Sequence, residues 1–316
     1  MTDIPASNII PIQSSDLTPQ SSIASIIDLF ISESDIRPSS KDRYRKSLVQ
    51  YFQWIEKNGI DLSAITRTEI LRFKEDLLAS GLAALTVGAY LTTVRIFYEW
   101  AESHKIYPNV AKGIKNPKRQ NKFIKQHLTA EQCVKLLEHL RGKSKRDFAL
   151  VNLLLRTGIR TIEAARAKVE DISQKFDRRI LHILGKGRDD KSEFVILEDK
   201  AYFPISEYLA SRGAILPSEP IFISTSSNYK GSLTTKTISS IVKAGLKAIG
   251  LDGHEYTAHS LRHTAAVLML KSGAKMERLQ SVLRHHNIAT TQIYTESIKE
   301  EERFKDAPEG LINDLF

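Results

Sequence analysis

The sequence predicts a mainly α-helical protein with a small antiparallel β-sheet, divided into an N-terminal helical bundle and a larger α+β domain. Three observations support this prediction. The chain has 316 residues, which is too long for one small domain and suits two domains with separate cores. Apolar residues recur at helical spacing in four consecutive segments of residues 21–104. Two β-prone runs flank a glycine-rich turn within residues 179–197.

A short tail precedes the helical bundle. Residues 1–20 are rich in Ser, Pro, Gln and Thr and lack a helical period, which predicts a flexible segment. Residues 21–104 carry four apolar stripes with short connections, so we expect an independent helical domain. The inward-facing residues of the stripes are Ile23, Ile26, Ile27, Phe30 and Ile31, then Tyr44, Leu48, Tyr51, Phe52 and Ile55, then Ile70, Phe73 and Leu77, and finally Tyr90, Val94, Phe97 and Ala101.

Capping residues predict where three of these helices begin. Ser39 or Ser40 is expected to cap the second helix and Thr86 the fourth, because a side-chain hydroxyl can accept a hydrogen bond from a free N–H group of the first turn. Thr66 and Glu69 have the spacing of a capping box, which predicts the start of the third helix.

Residues 105–127 form a basic segment that is predicted to be a linker. No acidic residue occurs between Glu102 and Glu131, and Gly113 and Pro117 interrupt any helix. Such a linker can follow a phosphate backbone and let two domains close around a duplex, while the alternative is a solvated basic hinge. The side chains expected to bind DNA are Lys112, Lys115, Lys118, Arg119, Lys122 and Lys125.

The overall composition agrees with an anionic partner. Lys and Arg total 46 against 37 Asp and Glu, a net charge of +9, so nucleic acid is the leading partner, although a solubilising surface would give the same balance. The single cysteine, Cys133, excludes an intramolecular disulfide and a cysteine-based metal site, and its apolar neighbours predict a packing role. No apolar run reaches the ~18 residues that a membrane span needs, so a cytoplasmic, nucleoid-associated protein is expected.

The second domain, residues 128–316, contains a strongly apolar run that predicts a buried helix. This run, residues 148–155, is expected to stop at Gly158, because glycine tolerates the left-handed conformation that ends helices. Arg160 then falls at the N-terminus of the next helix, a position that favours phosphate. The alternative is a surface salt bridge between Arg160 and Glu163.

A β-hairpin is predicted next. Residues 179–184 and 192–197 are β-prone, and the turn between them places Lys186 between Gly185 and Gly187. A single lysine in a turn is more often a solvated residue than a functional one. Lys186 therefore gains significance only from the other groups that accompany it.

Two later segments collect histidine, arginine and tyrosine. His259, Arg262 and His263 have the spacing that places them on one face of a helix. The histidine pair could instead be half of a zinc site, but the first histidine has no glutamate beside it and no third ligand is evident. His285 precedes Tyr294 by nine residues, and Tyr294 taken alone would more often be a core or rim tyrosine.

These segments resemble the active-site signature of the tyrosine recombinases, also called tyrosine-type or phage-type integrases, and in particular their two-domain Xer-like members. The family pattern is Thr-Gly-Leu-Arg with an acid three residues on, Gly-Lys-Gly in a hairpin, His-x-Leu-Arg-His, and Leu-Gly-His with a tyrosine nine residues later. The chain departs from it at Arg284, where the family has glycine, and His286 is a rival to His285. The matching residues are Arg160 with Glu163, Lys186, His259 with Arg262, His285 and Tyr294.

The resemblance implies a SAM-like core-binding domain followed by the tyrosine-recombinase catalytic fold. It implies site-specific cleavage and rejoining of DNA through a covalent 3′-phosphotyrosyl intermediate, without metal or ATP, for integration, excision or resolution. A cationic pocket is expected to lower the pKa of the nucleophile. The implied roles are phosphate binding by Arg160 and Arg262, attack by Tyr294, protonation of the leaving oxygen by Lys186, proton acceptance by His259 or a water, hydrogen bonding by His285 and orientation of Arg160 by Glu163.

The resemblance also implies an assembly. Four subunits would act on two DNA sites and exchange strands through a Holliday junction, and accessory DNA-bending proteins would be further partners. The apolar C-terminal residues Leu311, Ile312, Leu315 and Phe316 would link the subunits, or would dock on their own domain. Two other classes remain as alternatives: a type IB topoisomerase, which relaxes DNA without partner sites, and a catalytically silent DNA-binding protein.

Overall fold

The structure, a computed structural model, describes residues 19–118, 126–185, 190–226, 231–285 and 288–305. The chain divides into two compact units, Met1–Asn121 and Lys122–Phe316. The predicted fold class is confirmed, since the described residues are mostly helical and form one three-stranded antiparallel sheet. Among these residues, no helix has the length and apolar character needed to cross a membrane.

The first unit is a bundle of four helices around an aromatic core. The ring of Tyr51 packs edge-on against Phe73 with 5.0 Å between centroids, and Phe30 packs against Phe97 at 5.5 Å. The Tyr51 and Tyr98 hydroxyls lie 2.9 Å apart, so each buried phenol has a polar partner. The helices are α1 (Pro19–Glu33), α2 (Pro38–Lys57), α3 (Arg67–Ala79) and α4 (Ala84–Ser103).

The helix starts test the capping predictions. The capping box is confirmed, because Thr66 and Glu69 each bind the other's backbone at the start of α3. The serine caps of α2 are wrong: the helix begins at Pro38, whose fixed φ suits a first helical position. The cap at Thr86 is also wrong, because α4 begins at Ala84 and has no side-chain cap.

The N-terminal part of the predicted linker packs on the helical unit. Ala111 and Ile114 are fully buried in its core, and Arg95 donates to the carbonyl of Ile114 at 2.8 Å. Arg67 donates to the carbonyls of Lys112 and Gly113. This path follows from apolar side chains within the basic segment, since Tyr107 and Val110 also pack against the core. Its proposed DNA-binding residues Lys112, Lys115 and Lys118 are exposed, and Arg119, Lys122 and Lys125 lie outside the described residues.

The second unit is built around one buried helix, α6 (Lys145–Thr157). Of its residues, the whole run from Phe148 to Leu155 is buried, as the sequence predicts. Cys133 packs nearby and is 9% exposed, which confirms its packing role. The other helices are α5 (Ala130–Arg141), α7 (Thr161–Arg166), α8 (Asp199–Ala210), α9 (Thr235–Ala248), α10 (Ala258–Lys271), α11 (Met276–Leu283) and α12 (Ala289–Lys305).

The sheet of the second unit has the order β1, β2, β3, with β1 at Ile172–Lys175, β2 at Arg178–Ile183 and β3 at Glu193–Ile196. Both pairings are antiparallel, and Ile183 lies opposite Glu193 where β2 and β3 begin to separate. The predicted hairpin is therefore confirmed. The turn residue Lys186 lies outside the described residues.

Candidate active site

The turn between α6 and α7 presents Arg160. Glu163 accepts the backbone N–H of Arg160 at 2.7 Å through Oε2 and its guanidinium Nη1 at 2.9 Å through Oε1. The carboxylate is fully buried, whereas 32% of the Arg160 side chain is exposed. The pair is therefore not the surface salt bridge of the alternative interpretation. It holds a guanidinium in place while leaving part of that group accessible to an anion.

Gly158 is the residue that allows this turn. It has φ +64°, and a Cβ there would lie 2.9 Å from Leu283 Cδ2 and 3.4 Å from Ala265 Cβ. We expect Gly158→Ala to lower the free energy of unfolding by ~2–4 kcal/mol, since it adds backbone strain and overpacks the neighbours. Chemical denaturation would measure this. A matched control is Gly213→Ala, which has φ +83° and open space around it, so that only the strain remains.

Arg262 is the buried centre of the site. It lies on α10, is 2% exposed, and donates through Nη1 to the carbonyl of Gly158 at 2.5 Å and through Nη2 to the carbonyl of Leu283. Burial and the nearby Arg160 guanidinium lower the pKa of Arg262 to about 10. The side chain therefore stays charged at neutral pH and is fixed between the turn before Arg160 and the end of α11.

Tyr294 lies on α12 beside this guanidinium. Its ring is 6% exposed and packs between His263, with 4.9 Å between centroids, and His285, at 6.1 Å. Burial raises the pKa of Tyr294 above 10, although Arg262 and Arg160 act in the opposite direction. The expected fall in this pKa is therefore not met, because desolvation of the phenolate outweighs the cations.

His285 follows α11 and is held by its backbone. Its N–H donates to Gln280 O at 3.2 Å, and Gln280 Nε2 donates to His285 O at 3.1 Å. Its ring Nδ1 lies 2.9 Å from Oγ1 of Thr291, a fully buried residue. Burial first, and then the charge of Arg262 and other nearby cations, lowers the pKa of His285 to about 4. The imidazole is therefore neutral at pH 7.

The depressed pKa of His285 predicts a pH-dependent stability. Between pH ~6.5 and ~4 the unfolded chain binds a proton at this histidine that the folded chain does not, so stability falls as the pH is lowered through this range. We expect the wild type to lose more in Tm between pH 7.5 and pH 5 than His285→Gln, which has no titrating ring. Parallel Tm profiles for the two proteins would contradict the assignment.

The remaining predicted residues fall into two groups. His259 is exposed in the first turn of α10, and in its protonated form it opposes protonation of His285. Lys186 and His286 lie outside the described residues. Within the part of the chain that the structure describes, no three His, Cys, Asp or Glu residues are grouped so as to hold a metal ion.

The structure also brings in residues to which the sequence assigns no role in the site. Thr291 contacts the His285 ring, and His263 packs on Tyr294. Arg284 binds Glu163 through Nη2 at 2.6 Å. The sequence marks Arg284 only as a departure from the usual glycine, and it carries no signal for Thr291, whose contact depends on how α12 packs.

The geometry suits phosphoryl transfer to a tyrosine. Two guanidiniums, which bind phosphate oxygens bidentately, lie beside one buried phenol and a neutral imidazole. Such an array can hold a phosphodiester and stabilise the charge that develops when an oxygen nucleophile attacks phosphorus.

Comparison with known proteins agrees with this chemistry. The Phage integrase family matches residues 126–301, and the Phage integrase, N-terminal SAM-like domain matches residues 27–105. The tyrosine recombinase XerD of Rickettsia conorii is 28% identical over 288 residues, covering 86% of this chain and 93% of that protein. The tyrosine recombinase XerC of Caldanaerobacter subterraneus is 33% identical over 211 residues, or 65% of this chain and 57% of that protein.

Solved structures share the fold. The site-specific recombinase XerH, in a post-cleavage complex with its palindromic difH substrate, superposes with a TM-score of 0.72 at 22% identity, covering 91% of this chain and 84% of that one. A lambda integrase dimer bound to a core site gives 0.67 at 20% identity, covering 86% and 76%.

Fold and site together define a tyrosine recombinase, an enzyme that breaks and rejoins DNA strands. The Phage integrase model covers more than half of the sequence. The chain belongs to the phage integrase family.

Proposed function

We propose that the chain recombines DNA at specific sites with Tyr294 as nucleophile and Arg160 and Arg262 as the phosphate clamp. The observation that carries this assignment is the position of Arg262. Its guanidinium donates to the carbonyl of Gly158, two residues before Arg160, and its charge acts on the phenol of Tyr294. Arg262 is thus a fixed cation that links the turn before Arg160 to the proposed nucleophile, Tyr294.

The chemistry follows from these positions. The Tyr294 oxygen attacks phosphorus, the bond to the 5′-oxygen breaks, and a 3′-phosphotyrosyl link and a free 5′-hydroxyl result. Because burial keeps the phenol protonated, its proton must leave during the attack, and exposed His259 or a water accepts it. We assign protonation of the leaving 5′-oxygen to Lys186. The phosphotyrosyl bond conserves the energy needed for religation, so the cycle needs no nucleotide.

His285 is proposed to donate one hydrogen bond to a nonbridging phosphate oxygen. Its pKa of about 4 makes the ring neutral, so only one nitrogen carries a proton. If the Thr291 hydroxyl donates to Nδ1, the proton resides on Nε2, which is then available as a donor. Glu163 is proposed to orient Arg160, to which it already makes two hydrogen bonds.

The proposed DNA-binding surface of the first unit includes Lys112, Lys115 and Lys118. All three are exposed on a segment that packs on the helical unit, so their charge is presented on an ordered backbone. The domain boundaries proposed are a tail at 1–20, a core-binding domain at 21–104, a linker at 105–127 and a catalytic domain at 128–316. We place the protein on DNA in the cytoplasm.

The working assembly is proposed to be a homotetramer on two DNA duplexes, linked by the C-terminal segments. A cleft of about 870 Å³ beside α11 supports this proposal. Phe194, Ile196 and Val282 line it and are 39%, 46% and 39% exposed. The apolar residues from Leu311 to Phe316 suit such a surface on a neighbouring subunit. Accessory DNA-bending proteins would act on the DNA between sites.

The proposed function is tested with plasmids that carry one or two copies of a cleavable site, selected from a random duplex library by recovery of covalently attached DNA. Two copies are expected to yield deletion or inversion products, while one copy gives none. Relaxation of both plasmids without recombinants would instead indicate a type IB topoisomerase. Binding without any covalent product would indicate a catalytically silent protein.

A further inference from the structure

Arg284 occupies a backbone position that ordinarily favours glycine. It ends α11 with φ +54° and ψ +48°, in the left-handed region that L side chains rarely adopt. An arginine at this position adds strain that its side-chain contacts must offset. The contacts of the Arg284 side chain must therefore stabilise this conformation.

The Arg284 side chain is buried and reaches two carboxylates. It is 5% exposed, and its Nη2 donates to Glu163 Oε2 at 2.6 Å. Its Nε lies 3.2 Å from Glu193 Oε2, which is close enough for an ion pair but off the line of a hydrogen bond. Its Nη1 donates to the carbonyl of Val282 at 2.7 Å, which fixes the guanidinium against its own turn.

The two carboxylates belong to different parts of the site. Glu163 also binds Arg160, so its carboxylate holds two guanidiniums. Glu193 is the first residue of β3 and lies opposite Ile183, the last residue of β2. The residues between these two strands in the sequence include Lys186. Arg284 thus connects the Glu163 carboxylate, which binds Arg160, to Glu193, the residue at which β3 begins after the hairpin turn.

We propose that Arg284 is a positioning residue that fixes the start of β3 relative to the Arg160–Glu163 pair, and thereby sets the reach of Lys186 toward the leaving oxygen. The inference rests on the proposed function, since it takes Lys186 as the general acid. Arg284 itself touches no reacting atom. Its effect is on geometry, where a displacement of about 1 Å lowers a rate by ~10²-fold.

The test compares two nicked suicide duplexes that differ in one atom. In the first the leaving group is the ordinary 5′-oxygen, and in the second it is sulfur at the same bridging position. When Tyr294 attacks the second, the P–S bond breaks and a thiolate leaves. A thiol such as that of cysteine has a pKa of ~8.5, so a thiolate can leave without a general acid. Rate losses that arise from a misplaced acid are rescued by sulfur, whereas losses from a damaged phosphate clamp are not.

The variants are Arg284→Gly, which relieves the backbone strain, and Glu193→Gln, which removes the charge but keeps the shape of the side chain. The matched control is Glu198→Gln, the same change just beyond the other end of β3, where the side chain is 68% exposed and pairs with Arg178. Lys186→Ala, which lacks the proposed general acid, shows how far a sulfur leaving group restores the cleavage rate. The Tm of each variant is measured alongside the cleavage rates.

We expect Arg284→Gly and Glu193→Gln to cleave the oxygen substrate ~10–100-fold more slowly and the sulfur substrate at nearly the wild-type rate. Glu198→Gln should match the wild type on both. If sulfur rescues Lys186→Ala but neither Arg284→Gly nor Glu193→Gln, the positioning of the general acid is refuted, and the Tm then shows whether Arg284 acts on stability or on the phosphate clamp. If sulfur fails to rescue Lys186→Ala, the proposed general acid is wrong, and the inference fails with it.

Discussion

Tyr294→Phe is expected to abolish covalent attachment to DNA and to lower strand cleavage by at least ~10⁴-fold, because no other group can replace a missing nucleophile. The substitution removes one oxygen and leaves the ring, whose stacking against His263 and His285 uses only the carbon framework. Denaturing gel electrophoresis of the protein on a nicked suicide duplex would measure the adduct.

Binding provides the control for this prediction. Gel-shift affinity for the same duplex should stay within a few-fold of the wild type, since the phenol is not among the groups proposed to bind DNA. Tyr256→Phe, a change of the same kind on a partly buried tyrosine outside the site, should leave cleavage intact. A Tyr294→Phe protein that still forms a covalent adduct would contradict the assignment of the nucleophile.

Arg262→Lys is expected to lower both cleavage and stability, whereas Arg160→Lys should lower cleavage alone. A lysine cannot span the carbonyls of Gly158 and Leu283 that Arg262 binds, and each buried carbonyl left unpaired costs ~1–3 kcal/mol. At Arg160 the loss to the fold is smaller, because Glu163 keeps its bond to Arg284. Cleavage should fall ~10³-fold in both variants, because the proposed bidentate phosphate contact would be lost.

Single-turnover cleavage and thermal melting separate the two effects. Arg262→Lys should melt at a clearly lower temperature than the wild type, and Arg160→Lys close to it. Equal melting temperatures for all three proteins would show that the buried guanidinium has no structural role. Unchanged cleavage in either variant would remove that arginine from the clamp.

The helical architecture could be predicted because its signals are local. The stripes around Tyr51 and Phe73, the capping box at Thr66 and the left-handed Gly158 each depend on a few neighbouring residues. Elements that depend on context were missed. Helix α8 contains Pro204 in its interior, which is ordinarily a helix breaker, and β1 has only four residues, so neither has a clear pattern.

The active site, like the fold, could be predicted from the sequence only in part. Motif spacing placed the arginines, His285 and Tyr294 in one candidate site, but the pKa of Tyr294 depends on burial that only packing creates. The same limit applies to Arg284, whose partner Glu163 is 121 positions away in the chain. No pattern of neighbouring residues indicates a contact between positions so far apart in the chain. The sequence shows only that an arginine stands where the family has glycine.

The residue that becomes joined to DNA identifies the nucleophile. The wild-type protein is incubated with a nicked suicide duplex, the complex is digested with trypsin and nuclease, and the adduct peptide is sequenced by tandem mass spectrometry. We expect a 3′-phosphonucleotide on Tyr294, within the peptide that ends at Lys299. An adduct on any other residue, or one joined through the 5′-phosphate, would contradict the convergence of both arginines and this phenol on one phosphate.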